Sequence, residues 1–151
     1  MKNFTLPIRF GIATSGSLIA YFLILSLLGL HTNVFFSLFN AVITGFGIYE
    51  AIKYYKVQEG QSFKYSTGFT TGLTTGGMAT IVFTIFFALY STELNPGFLE
   101  ILSSQWASEY ESFEAIVFFV VAVMGFSTTV VLTLTFMQLF KASNNLKVNK
   151  R

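Results

Sequence analysis

The chain contains no cysteine and no aspartate, and it has only two prolines, one histidine and one tryptophan in 151 residues. Without cysteine there is no disulfide, no thiolate nucleophile and no Cys-ligated metal, and the redox compartment is left open. The missing aspartates leave little material for carboxylate-rich sites, and the lone His31 can join neither a His-pair metal motif nor a triad. Charge is scarce as well. Only 11% of residues are charged, against about 25% in a soluble globular domain. The net charge of +2 is too small to imply a nucleic-acid partner.

What the chain has in abundance is apolar bulk: 53% hydrophobic residues, with nineteen Phe and seven Tyr. A helix crossing the roughly 30 Å hydrocarbon core needs about 20 mainly apolar residues, each rising about 1.5 Å. Four segments meet that length: Ile8 to Leu30, Val34 to Ile52, Ser66 to Tyr90 and Ala115 to Phe140. None carries a central charge. A soluble helix bundle would show polar faces every few residues, whereas these spans hold Ser, Thr, Gly and an occasional amide. The first run is also longer than the apolar region of a cleavable signal, about 7 to 15 residues, and no small-residue cleavage site follows Leu27. The expected fold is therefore all-α and polytopic: one membrane domain over residues 1–151, four transmembrane helices forming two helical hairpins.

Basic residues set the direction. Lys2 and Arg9 precede the first span, Lys53, Lys56 and Lys64 separate the second and third, and Lys141, Lys147, Lys150 and Arg151 follow the fourth. All fall on one side. The other side receives His31, Thr32 and Asn33 and a loop with Glu93, Glu100, Glu109, Glu111 and Glu114. The positive-inside rule puts both termini in the cytoplasm. Tyr54, Tyr55 and Tyr65 at one boundary, and Tyr90, Trp106 and Tyr110 at the other, match the aromatic belts of a bilayer. Within the acidic loop, Asn95 and Pro96 suit a helix start. Phe98, Ile101, Leu102 and Trp106 then recur at helical spacing, which predicts a short interfacial helix. Glu111 and Glu114 sit where a helix N-terminus stabilises carboxylates.

The sharpest local pattern is Gly68, Gly72 and Gly76, continued by Thr80 and Thr84 at four-residue spacing. Such a ridge lets helix backbones approach closely in lipid. Its partner is to be sought at Gly11, Ser15, Gly16 and Ala20, at Ala41 and Gly45, or at Ala122, Gly125 and Thr129, and the sequence leaves that choice open. Ordinary packing within the chain is the plain reading, and a homodimer seam or substrate path the functional one. Two further polar residues stand at or near membrane depth. Glu50 lies one turn before Lys53, where an interfacial ion pair accounts for it and a proton relay is the rival. Asn40 lies nearer the middle, suited to a hydrogen bond between helices or to a substrate. The glycines form no phosphate cradle, since no GxxxxGK[ST] is present. The spread of Glu109, Glu111 and Glu114 does not assemble a cation cage. Similar stretches at Gly11 to Gly16 and Gly72 to Gly77 hint at a parallel duplication of two hairpins.

Several of these stretches resemble a bacterial family of small membrane proteins, domain of unknown function 4199. The resemblance lies in Gly11, in Ile52 to Lys56 running through Gly60 to Phe63 into Gly68 to Gly72, and in Tyr90 followed by Asn95 and Pro96. It implies a four-span inner-membrane protein and brings no catalytic, cofactor-binding or metal-ligating residues. The expectation is a non-enzymatic packing or assembly component without cofactors, its partners being the bilayer and either further copies of itself or a larger membrane complex. A small oligomeric transporter or channel is the alternative.

Overall fold

The computed structural model describes residues 5–31, 33–106 and 112–140. Among these every regular element is helical: α1 (Thr5–Leu27), α2 (Val34–Glu59), a 3-10 turn (Gly60–Ser62), α3 (Tyr65–Leu89), a π-helical turn (Tyr90–Leu94), α4 (Gly97–Trp106) and α5 (Phe113–Phe140). Helices α1, α2, α3 and α5 are long and apolar enough to cross a membrane.

The ends follow from local chemistry. Pro7 sits in the first turn of α1, where its missing N–H would have had no helical partner. After α1, Gly29 takes φ +67°, its N–H reaches the Ser26 carbonyl, and Leu30 N–H reaches Leu25. That pair of bonds is a Schellman stop. The Asn33 side chain then accepts the Phe35 N–H at 3.0 Å and caps α2.

The second helix runs seven residues past Ile52, the predicted end of its span. Hydropathy stops where Lys53 begins, but a helix stops where its backbone ladder is broken, and that happens only at Gly60. There φ is +53° and the N–H closes on the Lys56 carbonyl. The extra turns are amphipathic: Tyr55 is buried beside Phe63, while Lys53, Tyr54 and Val57 are exposed. The other ends lie within three residues of those predicted.

Helix α3 packs along α1, α5 and α2, most extensively along α1, and α2 touches both α1 and α5. The interior has three tiers. At the basic end, Ile48 and Ile52 of α2 enclose Met137 of α5, with Phe63, Phe69, Phe136 and Phe140 around them. At the acidic end, Phe22, Phe87, Tyr90, Phe98 and Leu99 form an aromatic cluster that ties α4 to α1 and α3. Between them most of the buried residues are small, Thr14, Ser15, Thr75, Ala79 and Thr129, and Leu18 is buried with them. Most of their hydroxyls bond within their own helix, Thr14 to Phe10 O, Ser15 to Ile12 O and Thr129 to Gly125 O. A polar side chain far from water is thereby satisfied without leaving its helix.

Candidate functional site

The two sides of α3 are filled from within the chain. On one side its glycines meet α5 in a constant antiparallel register, in which each step of four along α3 matches a step of four back along α5. A Cβ on Gly72 would lie 2.6 Å from Thr133 Cγ2 and 3.0 Å from Ile52 Cδ1; one on Gly76 would lie 2.5 Å from Thr129 Oγ1. Gly68 is closed by Phe63 and Met137. At Thr80 the roles reverse, and the glycine is Gly125 of α5, whose Cβ would lie 2.8 Å from Thr80 Oγ1. On the other side, Gly11 of α1 seats against Met78 and the Thr75 carbonyl, and Thr75 Oγ1 donates to the Pro7 carbonyl at 3.3 Å. A third close approach joins Gly47 of α2 to Thr14 of α1. These are the contacts that dispersion needs when lipid removes the hydrophobic effect between helices.

Gly68, Gly72, Gly76 and Thr80 are thus one continuous ridge, with α5 as its partner. The sequence left this choice open among three surfaces. Thr133 and Met137 were missed there, although Gly125, Thr129, Thr133 and Met137 share the four-residue spacing that singled out α3. Ser15 is buried, but Gly16 and Ala20 are exposed.

The polar candidates are scattered. Glu50 Oε1 accepts from Lys53 Nζ at 3.1 Å in a partly exposed i,i+3 pair. Asn40 Oδ1 is buried without a hydrogen-bond partner, as are Thr84 Oγ1 and Thr133 Oγ1. Glu50 lies about 15 Å along α2 from Asn40, ten residues at 1.5 Å each, so the two do not form one site. Among the described residues no group of three His, Asp or Glu side chains comes together.

A polar knot closes the acidic end. The Tyr90 hydroxyl pairs with the Ser26 hydroxyl of α1 and accepts from Asn95 Nδ2 at 3.3 Å. The π turn creates this arrangement: Asn95 N–H reaches back five residues to the Tyr90 carbonyl at 2.8 Å, and Phe98 N–H bonds to the Asn95 carbonyl at 3.0 Å to start α4. In α4, Phe98 is buried and Glu100 is exposed, as the helical spacing predicts; the Trp106 side chain, Tyr110, Glu109 and Glu111 lie outside the described residues. His31 stands beside the knot, its ring 5.1 Å from Phe98 and edge-on to Phe22 at 6.1 Å. Its Nδ1 is buried without a partner, and this desolvation holds its pKa below the usual 6.5.

Residues 9–141 match the family described as protein of unknown function, DUF4199. The chain belongs to that family. No curated protein and no solved structure matches it. In this DUF4199 protein, several residues that carried the sequence resemblance stand where helices approach closely or a helix ends. Gly11 admits α3 against α1, Gly60 stops α2, Gly68 and Gly72 admit α5, and Tyr90 and Asn95 hold the knot.

Proposed function

We propose that this DUF4199 protein is a non-enzymatic integral protein of a bacterial inner membrane, an assembly component that packs with further copies of itself or with a larger membrane complex. In this reading α1–α2 and α3–α5 are two hairpins, α4 lies in the interface at the acidic end, and both termini are cytoplasmic. The described cations Arg9, Lys53, Lys56 and Lys64 favour that orientation. The ridge on α3 is already occupied by α5, so association belongs on another face.

One observation carries the assignment to α5. Only 6% of its apolar span is buried, against 33% for each of the other three. Phe119, Val123, Val131 and Leu139 follow at multiples of four along its outward side, all exposed, with the small residues Ser127 and Thr135 between them. This outward ridge mirrors the spacing of the inward one. Because the chain has no native cysteine, Phe119→Cys and Val131→Cys can be oxidised in native membranes without interference. Disulfide-linked dimers are expected there but not with Ile24→Cys or Ile85→Cys on exposed faces of α1 and α3. No cross-link at either α5 position, or equal cross-linking at all four, would sink self-association through α5 and leave only the larger complex. The transporter or channel alternative has in its favour the unpartnered Asn40, Thr84 and Thr133, of which Thr133 is packed into the seam with α3.

A further inference from the structure

We propose that the cleft between α1 and α2 at the basic end binds the phosphodiester headgroup of an anionic phospholipid. The cleft is open and holds about 440 Å³, lined by Thr5, Leu6, Arg9, Phe10 and Ala13 of α1 and by Tyr54 and Gln58 of α2. Its origin is geometric. The two helices touch closely where Gly47 receives Thr14, one residue beyond Ala13, and the cleft occupies the space between them from there to their basic ends. Phe10 and Tyr54 bridge it, their rings 6.0 Å apart.

The cleft runs along the two helix axes. Because α1 and α2 are antiparallel, Thr5 and Gln58 share the end nearer water, and Ala13 lies about 12 Å deeper, eight residues at 1.5 Å each. Thr5, Arg9 and Gln58 bring a hydroxyl, a guanidinium and an amide to this lining, interleaved with the apolar Leu6, Phe10 and Ala13 and the ring of Tyr54. A lining that is polar and apolar by turns suits a phosphodiester together with its glycerol and first acyl carbons.

Charge selects the headgroup. The lining contains no carboxylate, and among the described residues no Asp or Glu lies within ion-pair distance of Arg9; Glu50 is engaged by Lys53. Lys56, the neighbouring cation on α2, is turned away to the Phe140 carbonyl and the Phe63 and Phe140 rings. Arg9 thus brings a planar fork of donors to a lining that holds no carboxylate, Glu59 following Gln58 on α2 outside it, and a phosphate is the group that such a fork binds in bidentate fashion. Basic pockets between spans at the cytoplasmic face are suited to anionic headgroups for the same reason. The inference rests on membrane insertion but not on association through α5, so a monomer would test it equally well.

The test is native mass spectrometry of the full chain in mild detergent, titrated with phosphatidylglycerol and, separately, with phosphatidylcholine. Phosphatidylglycerol should bind preferentially, and Arg9→Gln should weaken it about tenfold, the loss of one charge-assisted contact. Lys64→Gln, an exposed cation at the same end but outside the cleft, should leave the affinity unchanged. Equal losses in the two variants, no loss with Arg9→Gln, or equal binding of phosphatidylcholine would each overturn the proposal. Millimolar inorganic phosphate should not displace the lipid; displacement would assign the site to free phosphate and overturn the lipid assignment. If Arg9→Gln does not insert, Arg9→Lys carries the test, because it keeps the charge but not the fork: weaker binding is expected, and wild-type affinity would overturn the site.

Discussion

At Gly72 the approach of Thr133 from one helix and Ile52 from another leaves no room for even one carbon. Gly72→Leu should therefore cost about 1 to 3 kcal/mol, the usual range for overpacking a tight core, read as a lower thermal midpoint in detergent. Ile81→Leu and Ile85→Leu, at exposed positions of the same helix, should leave that midpoint unchanged; equal tolerance at all three would mean that α5 does not seat here. His31 makes a different demand. Its partners Phe22 and Phe98 offer nothing to a second proton, so the folded state favours the neutral ring. The unfolded chain takes up a proton near pH 6.5, and the folded chain only at lower pH. Stability is complete above 6.5 and is lost as pH falls toward the lowered folded value. The thermal midpoint should drop as pH falls through 6.5, and His31→Phe should flatten that dependence. A flat profile in the wild type would refute the desolvation argument. The sequence placed His31 in a turn but could not show these rings around it, because Phe22 and Phe98 lie on elements far apart in the chain.

Elements were legible where hydropathy and helix geometry coincide, as in α1, α3 and α5, and less so where they part, as at the charged end of α2. Spacing exposed the ridge on α3 because three glycines at four-residue intervals stand out. On α5 the same spacing is written in Thr and Met, which also serve ordinary apolar spans, so the partner was not readable. The stretches matched in sequence, Gly11 to Gly16 and Gly72 to Gly77, meet different partners: Gly11 seats on α3, Gly72 on α5 and α2. The π turn had no sequence signal beyond Asn95 and Pro96, yet it aims Tyr90 at both Ser26 and Asn95. Tyr90→Phe removes both bonds while keeping the ring. A loss of about 1 to 3 kcal/mol is expected, since the partners are left in a partly buried site. Faster amide exchange should appear first in α4, which α3 reaches through this turn. Exchange unchanged in α4 would show that the aromatic cluster alone holds it.

For the whole molecule, the strongest inference available from sequence was the side on which each end lies, because it needs only the count of cations per loop. It is also directly measurable. In intact cells His31→Cys should react with an impermeant thiol reagent and Glu59→Cys should not; the reverse pattern would invert the molecule. What no single-chain argument could supply was how the spans are arranged about one another, which depends on pairings between residues tens of positions apart. The meeting of α3 with α5 has one more consequence. Because glycine and threonine repeat every fourth residue on both helices, sliding α5 by one turn would again set Gly68 opposite Thr133 and Gly72 opposite Thr129, so the middle of this seam reads like a vernier with two coincident marks. The setting is fixed at its ends, where Met137 fills the space beside Gly68 and Phe118 meets Phe87 at 6.1 Å; the bulky residues keep the alignment that the small ones make close.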